Sequence, residues 1–294
     1  MLNVHKICYY DSHNNILIIL VKGTLMSLRF YSILKKITSC DPFHIVFFSG
    51  TGCNEMIFHK VAQQFLTQNV IFHYEHTIKN DTLGAISTTC ADKLRTLIGK
   101  ERAIAVGHSL GGINAAMTVE AAPELFRGLV LCNTRYRQVN PLERQTKNAI
   151  IKKMSRCTEE QFDKLLCRSF FQNQEKLLTD EELNLLISCA KATGRQNFIQ
   201  QINLSLEQTS IDYQRILNQL PVTIIQGIED TIMHDSGWEQ SGLQDSATKY
   251  HLELVKCSGG HLSILKHPEL VASEIKKIIS VKDNSCDSNL TFRV

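Results

Sequence analysis

Ala103-Ile104-Ala105-Val106-Gly107-His108-Ser109-Leu110-Gly111-Gly112 is the stretch that decides the fold. Residues 103–106 are a short apolar run that reads as a buried strand, and a small-residue helix follows through Ala116. Between them Gly107-His108-Ser109-Leu110-Gly111 has the form G-x-S-x-G, in the strand-then-helix context which that pattern requires. A strand that turns directly into a helix leaves no room for side chains two positions to either side of the turning residue. Gly107 and Gly111 supply that space. The turn raises the Ser109 hydroxyl above the carboxyl edge of the strand and sets it at a helix N-terminus, whose amides favour developing negative charge.

Working outward, short apolar runs alternate with amphipathic helical stretches from residue 44 onward, the pattern of an α/β fold with a mostly parallel sheet flanked by helices. Strands are predicted at residues 44–48, 70–74, 103–106 and 128–132. Helices are predicted at 55–66 and at 82–98, the second with Asp81 as N-cap. After Cys132 the alternation stops for roughly 85 residues, too long for a plain connection. That segment reads as helical. Thr158-x-x-Gln161 and Thr179-x-x-Glu182 have the form of capping boxes, and Gly194 is placed to end the helix begun at Glu181. The sheet resumes at 222–226 and 251–255, and a last helix at 268–279 precedes a polar tail. The expected organisation is a core domain of residues 1–134 and 221–294 with a helical cap, or lid, inserted at 135–220. In the first 43 residues, apolar runs at 7–10 and 16–21 flank the turn-rich Ser12-His13-Asn14-Asn15. They are expected to form an antiparallel hairpin on one edge of the sheet, with no part in chemistry.

A serine hydroxyl needs a base, and a neutral imidazole suits the task because its pKa lies near operating pH. His261 is the candidate: it follows Ser258-Gly259-Gly260 just past the strand at 251–255, on a loop able to bring its ring over Ser109. The imidazole needs a carboxylate to hold one tautomer, and Asp230 lies four residues past the strand end at Gln226, with Glu229 and Asp235 as rivals. The chain order Ser109, Asp230, His261 is Ser, acid, His. An oxyanion needs two backbone N–H groups. Leu110, which follows the nucleophile, supplies one, and Thr51 in the turn Ser49-Gly50-Thr51-Gly52 is the expected other.

These motifs, taken together and in this order, resemble those of the α/β-hydrolase superfamily from about residue 44 to residue 280. The likeness is nearer the small esterases and the lactonase-like or pimeloyl methyl-ester esterase-like members. Phe48-Ser49-Gly50-Thr51-Gly52 is similar to the family's H-G-x-G oxyanion turn, residues 107–112 to its G-H-S-x-G-G elbow, residues 227–230 to its G-x-x-D and Gly260-His261 to its G-H. The resemblance implies triad roles for Ser109, Asp230 and His261 and a helical lid over the pocket. The turn departs from the family pattern in carrying Ser49 where histidine is usual, which bears on how the loop is braced.

The expected activity is hydrolysis of a carboxylic ester, thioester or lactone through an acyl-serine. The same triad acting on a C–C bond, or as an acyltransferase or perhydrolase, stays open, as does a non-catalytic ligand-binding protein on this scaffold. Epoxide hydrolases and haloalkane dehalogenases rest on an Asp where this chain has Ser109.

Composition narrows the partners. In 294 residues, 43% are hydrophobic and 21% charged, which suits a packed core rather than disorder. The net charge of +3 is dispersed, so no nucleic-acid surface is expected, and Lys147, Lys152, Lys153 and Arg156 read as a solvated helix face. The 10 cysteines have no metal or disulfide spacing and read as small core residues; Cys53, near the oxyanion turn, is read the same way. His73 and His76 would point to opposite strand faces, against a metal site. No metal or cofactor is expected, and the expected partner is a small-molecule acyl substrate. The run at 16–21 is too short to span a membrane and lacks a cleavage site after it, so a cytoplasmic location is expected. Oligomeric state is not legible.

Overall fold

The computed structural model describes residues 7–11, 16–20, 43–65, 70–75, 82–165, 178–207, 210–233 and 252–280. Strands β1 (Ile7–Asp11) and β2 (Ile16–Leu20) precede six others: β3 (Phe43–Phe48), β4 (Val70–Glu75), β5 (Ala103–His108), β6 (Phe126–Cys132), β7 (Val222–Gly227) and β8 (Leu252–Cys257). The six form one sheet in the order β4-β3-β5-β6-β7-β8, and every neighbouring pair is parallel. The chain runs outward from β3 to β4, returns to the other side of β3 with β5, and then proceeds to β8. The loops after β3 and β5 therefore diverge, which opens a crevice at the carboxyl edge. Register brings the strand ends to one level there: Phe48 pairs with Gly107, His108 with Cys132 and Gly227 with Cys257.

Alternation along the strands builds a core on each face. Ile45, Phe47, Ile104, Val106, Val130 and Ile225 pack against Val61 and against Ala272 and Ile275 of the helix Pro268–Ser280. Val46, Phe48, Ala105, Leu129, Leu131 and Ile224 pack against Leu94, from the helix Leu83–Ile98, and Ala116 and Val119, from the helix Leu110–Ala121. Both faces being covered, the strands read as continuous apolar runs.

Between β6 and β7 the described residues form the helices Pro141–Ser155, Glu159–Leu165, Asp180–Thr193, Arg195–Ser205 and Tyr213–Leu217. Both capping boxes close reciprocally, Thr158 with Gln161 and Thr179 with Glu182, and Gly194 ends its helix at φ 76°. Met154, Ala190, Phe198 and Ile202 give these helices a small core of their own.

Four details differ from the sequence reading. Residues 55–66 are not one helix: Asn54 caps a 3-10 turn, Glu55–Phe58, that leads into the short helix His59–Gln63. The next helix is capped by Thr82, whose hydroxyl accepts from the Ala85 amide, so the cap lies one residue beyond Asp81, which is outside the described residues. β1 and β2 pair with each other, Ile7 opposite Leu20 through Asp11 opposite Ile16, as a separate two-stranded sheet. An antiparallel hairpin satisfies its facing donors and acceptors internally, and β2 lies beside the edge strand β4 without entering its ladder. Lys152, Lys153 and Arg156 are exposed, but Lys147 is half-buried on Glu143 (2.8 Å), which also receives Arg135 and Arg137 (2.9 Å each). His73 hydrogen-bonds to His44 (2.9 Å), and His76 lies outside the described residues. Among the described residues no helix is long and apolar enough to cross a membrane.

Candidate active site

The turn after β5 is as tight as its glycines require. Ser109 sits at φ 54°, ψ −121°, a strained conformation for a residue with a side chain. The Ser109 amide donates to the Cys132 carbonyl and the Gly112 amide to the Ser109 carbonyl, each at 3.0 Å. A Cβ at Gly111 would lie 2.1 Å from the Phe48 carbonyl oxygen, one at Gly107 2.5 Å from Gly112 Cα, and one at Gly112 1.8 Å from Thr134 Oγ1. Through these three positions the helix packs against β5, the end of β3 and the segment after β6.

The loops after β7 and β8 bring Asp230 and His261 to this turn. His261 Nε2 lies 2.9 Å from Ser109 Oγ, and His261 Nδ1 lies 2.9 Å from Asp230 Oδ2. All three side chains are buried. The Asp230 carboxylate is held from several directions. The Ile232 and Met233 amides donate to Oδ1 (2.9 and 2.8 Å) and the Asn133 amide group donates to Oδ2 (2.7 Å). Burial pushes the Asp230 pKa up, but His261 and the donors from His261, Met233 and Asn133 outweigh it, so the carboxyl is held down at about 2. Asn133 adopts φ 49°, a left-handed conformation Asn tolerates, and its side-chain oxygen Oδ1 accepts from the Ser263 hydroxyl.

Of the rival acids, Glu229 braces the loops: its carboxylate accepts from the Gly259 amide, while its own amide donates to the Gly259 carbonyl (3.0 Å). Asp235 lies outside the described residues. Gly227 permits this approach, since a Cβ there would be 2.4 Å from the Gly260 carbonyl oxygen.

His108 ties the His261 loop to the turn after β3. Its Nε2–H donates to the His261 carbonyl (2.9 Å), because a carbonyl can only accept, and this leaves Nδ1 as a bare acceptor. The ring lies against Gly50, where a Cβ would come within 2.8 Å of Nδ1. Burial, and then the neighbouring His261, bring the His108 pKa down to about 3, so the ring is neutral near pH 7.

The turn after β3 carries Ser49 and Thr51. The Cys53 amide donates to the Gly50 carbonyl (3.1 Å), and Gly52 takes φ 69°, which makes Thr51 and Gly52 the central residues of a β-turn. Gly50 backs onto Ser109, where its Cβ would lie 3.0 Å from that of the serine, so the turn bearing Thr51 rests against the elbow bearing Leu110. Ser49 is buried beneath it. The Gly52 amide donates to Gln201 Oε1 (2.7 Å), and the Phe198 ring occupies the space that a Gly52 side chain would need, 2.4 Å from its Cβ position. Cys53 is buried in the core.

A model of the alpha/beta hydrolase fold family matches residues 86–268, a stretch that contains the elbow and both loops. The chain belongs to this family. Among curated proteins, no sequence matches it. Solved structures share the fold of this α/β hydrolase at low identity. A hydrolase from Pseudomonas aeruginosa PA01 has a TM-score of 0.65 at 15% identity, covering 94% of this chain and 98% of that one. A thermophilic esterase from Thermogutta terrifontis has 0.61 at 15%, covering 81% and 89%. An enol-lactonase from Burkholderia xenovorans LB400 has 0.58 at 13%, covering 82% and 92%.

The structure of the α/β hydrolase thus brings together Ser109, Asp230 and His261, and sets the Thr51 turn beside Leu110. Sequence reasoning missed Asn133, although a lone Asn closing the apolar run Leu129-Val130-Leu131-Cys132 is a signal of an unusual backbone. It also missed Gln201 and Phe198, for which helical periodicity offers no pointer to a turn 149 residues away.

Proposed function

We propose that the protein is a serine hydrolase that cleaves a carboxylic ester, thioester or lactone through an acyl-Ser109 intermediate. The observation that carries this reading is the continuous hydrogen-bonded series from Ser109 Oγ through the His261 ring to Asp230 Oδ2, at 2.9 Å for each link, with the acid anchored by three further donors. His261 Nε2 takes the hydroxyl proton as Ser109 Oγ bonds to the acyl carbon. The ionised Asp230 holds the tautomer and stabilises the imidazolium. Negative charge collects on the former carbonyl oxygen, where the Leu110 and Thr51 amides are the proposed donors. Collapse expels the alcohol, thiol or, in a lactone, the ring oxygen, protonated by His261. Water, deprotonated by the same imidazole, then attacks the acyl-serine and frees the acid. The helices between β6 and β7 act as the lid over the acyl group. An esterase and an enol-lactonase among proteins of this fold support the choice of bond.

The test is Ser109→Ala. Wild-type protein should hydrolyse short p-nitrophenyl esters and take up a fluorophosphonate probe covalently. The alanine variant should lose both, with activity down by at least about three orders of magnitude. Full activity in Ser109→Ala defeats the proposal, and a wild type inert to the probe favours a binding protein on this scaffold.

A further inference from the structure

The oxyanion turn is braced from the inserted helices. Gly50 to Cys53 closes as a β-turn whose central peptide, Thr51 C=O to Gly52 N–H, has two possible directions, and the φ of 69° at Gly52 marks one of them. In that direction the Gly52 N–H points away from the sheet and into the insertion, where the buried Gln201 side chain accepts it at 2.7 Å. The Phe198 ring, one helical turn before Gln201, abuts the same glycine. Cys189, on the preceding helix, donates its thiol to Asn54 Oδ1 (2.9 Å) just beyond the turn. Without an acceptor on Gln201 the Gly52 N–H would be buried and unpaired. The other peptide direction would then compete, and the turn that carries the Thr51 amide would no longer be held to a single conformation.

We infer that Gln201 is a positioning residue for the oxyanion hole, holding the Thr51 amide in place through Gly52. The inference rests on the serine-hydrolase reading, in which the Thr51 amide is a donor to the oxyanion. It assigns the helix Arg195–Ser205 a second task besides covering the acyl group: the site is complete only while this helix is docked. Ser49, which stands where the family usually has histidine, is not the brace of the Gly52 amide; Gln201 is.

The experiment compares Gln201→Leu, which keeps size but removes the acceptor, with Gln201→Glu, which has an accepting oxygen in either protonation state. Each is assayed on p-nitrophenyl butyrate and for inhibition by an alkylboronic acid, which forms a tetrahedral adduct on the serine. In Gln201→Leu, kcat falls roughly ten-fold or more with KM changed less than about two-fold, and boronate inhibition weakens in parallel. Gln201→Glu recovers most of both. Equal losses in the two variants, or an unchanged kcat in Gln201→Leu, overturn the assignment. If Gln201→Leu does not fold, Gln201→Ser, polar but too short to reach Gly52, is read in its place against Gln201→Glu by the same criteria. Ser109→Ala separates the two ideas. An active Ser109→Ala removes the hydrolase reading itself, whereas an inactive Ser109→Ala with wild-type kcat in Gln201→Leu removes only the role of Gln201.

Discussion

The loops on the two sides of Ser109 are held in opposite ways. On the acid–base side, Asp230 and His261 are secured by residues of the sheet and its own loops: Asn133 at the end of β6, the Ile232 and Met233 amides, and Glu229 on Gly259. On the side of the proposed oxyanion hole, the Ser49–Cys53 turn is secured by Gln201 and Phe198, which belong to a helix inserted between β6 and β7. The difference teaches that one half of this site is intrinsic to the scaffold and the other is completed by the insertion.

The elbow joins both halves, and its disruption should have the largest effect. A Cβ in Gly111→Ala would press on the Phe48 carbonyl oxygen, a backbone atom that cannot swing aside, so the strand and helix must part. A stability loss of about 3 kcal/mol or more in urea denaturation is expected; a variant within about 0.5 kcal/mol of wild type would show that the contact yields.

Acid should weaken the link between the halves next. His108 bears on Gly50 and on the His261 carbonyl, and its folded pKa of about 3 lies below the ordinary value of 6.5. Its folded pKa being depressed, the stability tied to the neutral ring is complete above about pH 6.5. That stability drains as pH falls toward 3, because the unfolded chain binds the proton first. Burial lowers His44 to about 4, and burial together with His44 lowers His73 to about 3, so both act with the same sign. Each contributes a slope of up to about 1.4 kcal/mol per pH unit inside that window. Urea midpoints measured from pH 7 to 5 should fall, and less steeply in His108→Asn. Equal slopes would remove His108 from the account.

Asn133→Ala addresses the acid–base half alone. Asp230 loses a donor, its pKa moves up, and kcat/KM should drop by about ten-fold, with the acid limb of the pH–rate profile shifted to higher pH. A profile that overlays the wild type would mean that the remaining donors suffice, and that the scaffold half is more redundant than the oxyanion half.

The intrinsic half was also the legible half. Short continuous apolar runs reported strand positions within a few residues, and strand ends locate loops, so Ser109, Asp230 and His261 could be picked by type and order. Local signals failed where two neighbours were equally suited, as with Asp81 and Thr82, both good caps. They failed too where a partner was remote. The spacing of Lys147 with Lys152 and Lys153 suggested a solvated face, but Lys147 turns onto Glu143, which Arg135 and Arg137 also reach from the segment after β6. Asn133 reaches across 97 residues and Gln201 across 149, and an amphipathic pattern cannot say which polar side chain turns inward to meet a backbone amide.

The hydrogen bond from Gly52 to Gln201 bears on how such a chain can diverge. Grafting another family member's inserted helices onto this core would carry over a segment without the acceptor that Gly52 meets here, unless the donor segment supplies one at the same place. If Gln201 positions the turn as proposed, the heritable unit is the insertion together with residues 49–53. Recombination that respects that pair should yield active chimeras more often than exchange of the helices alone.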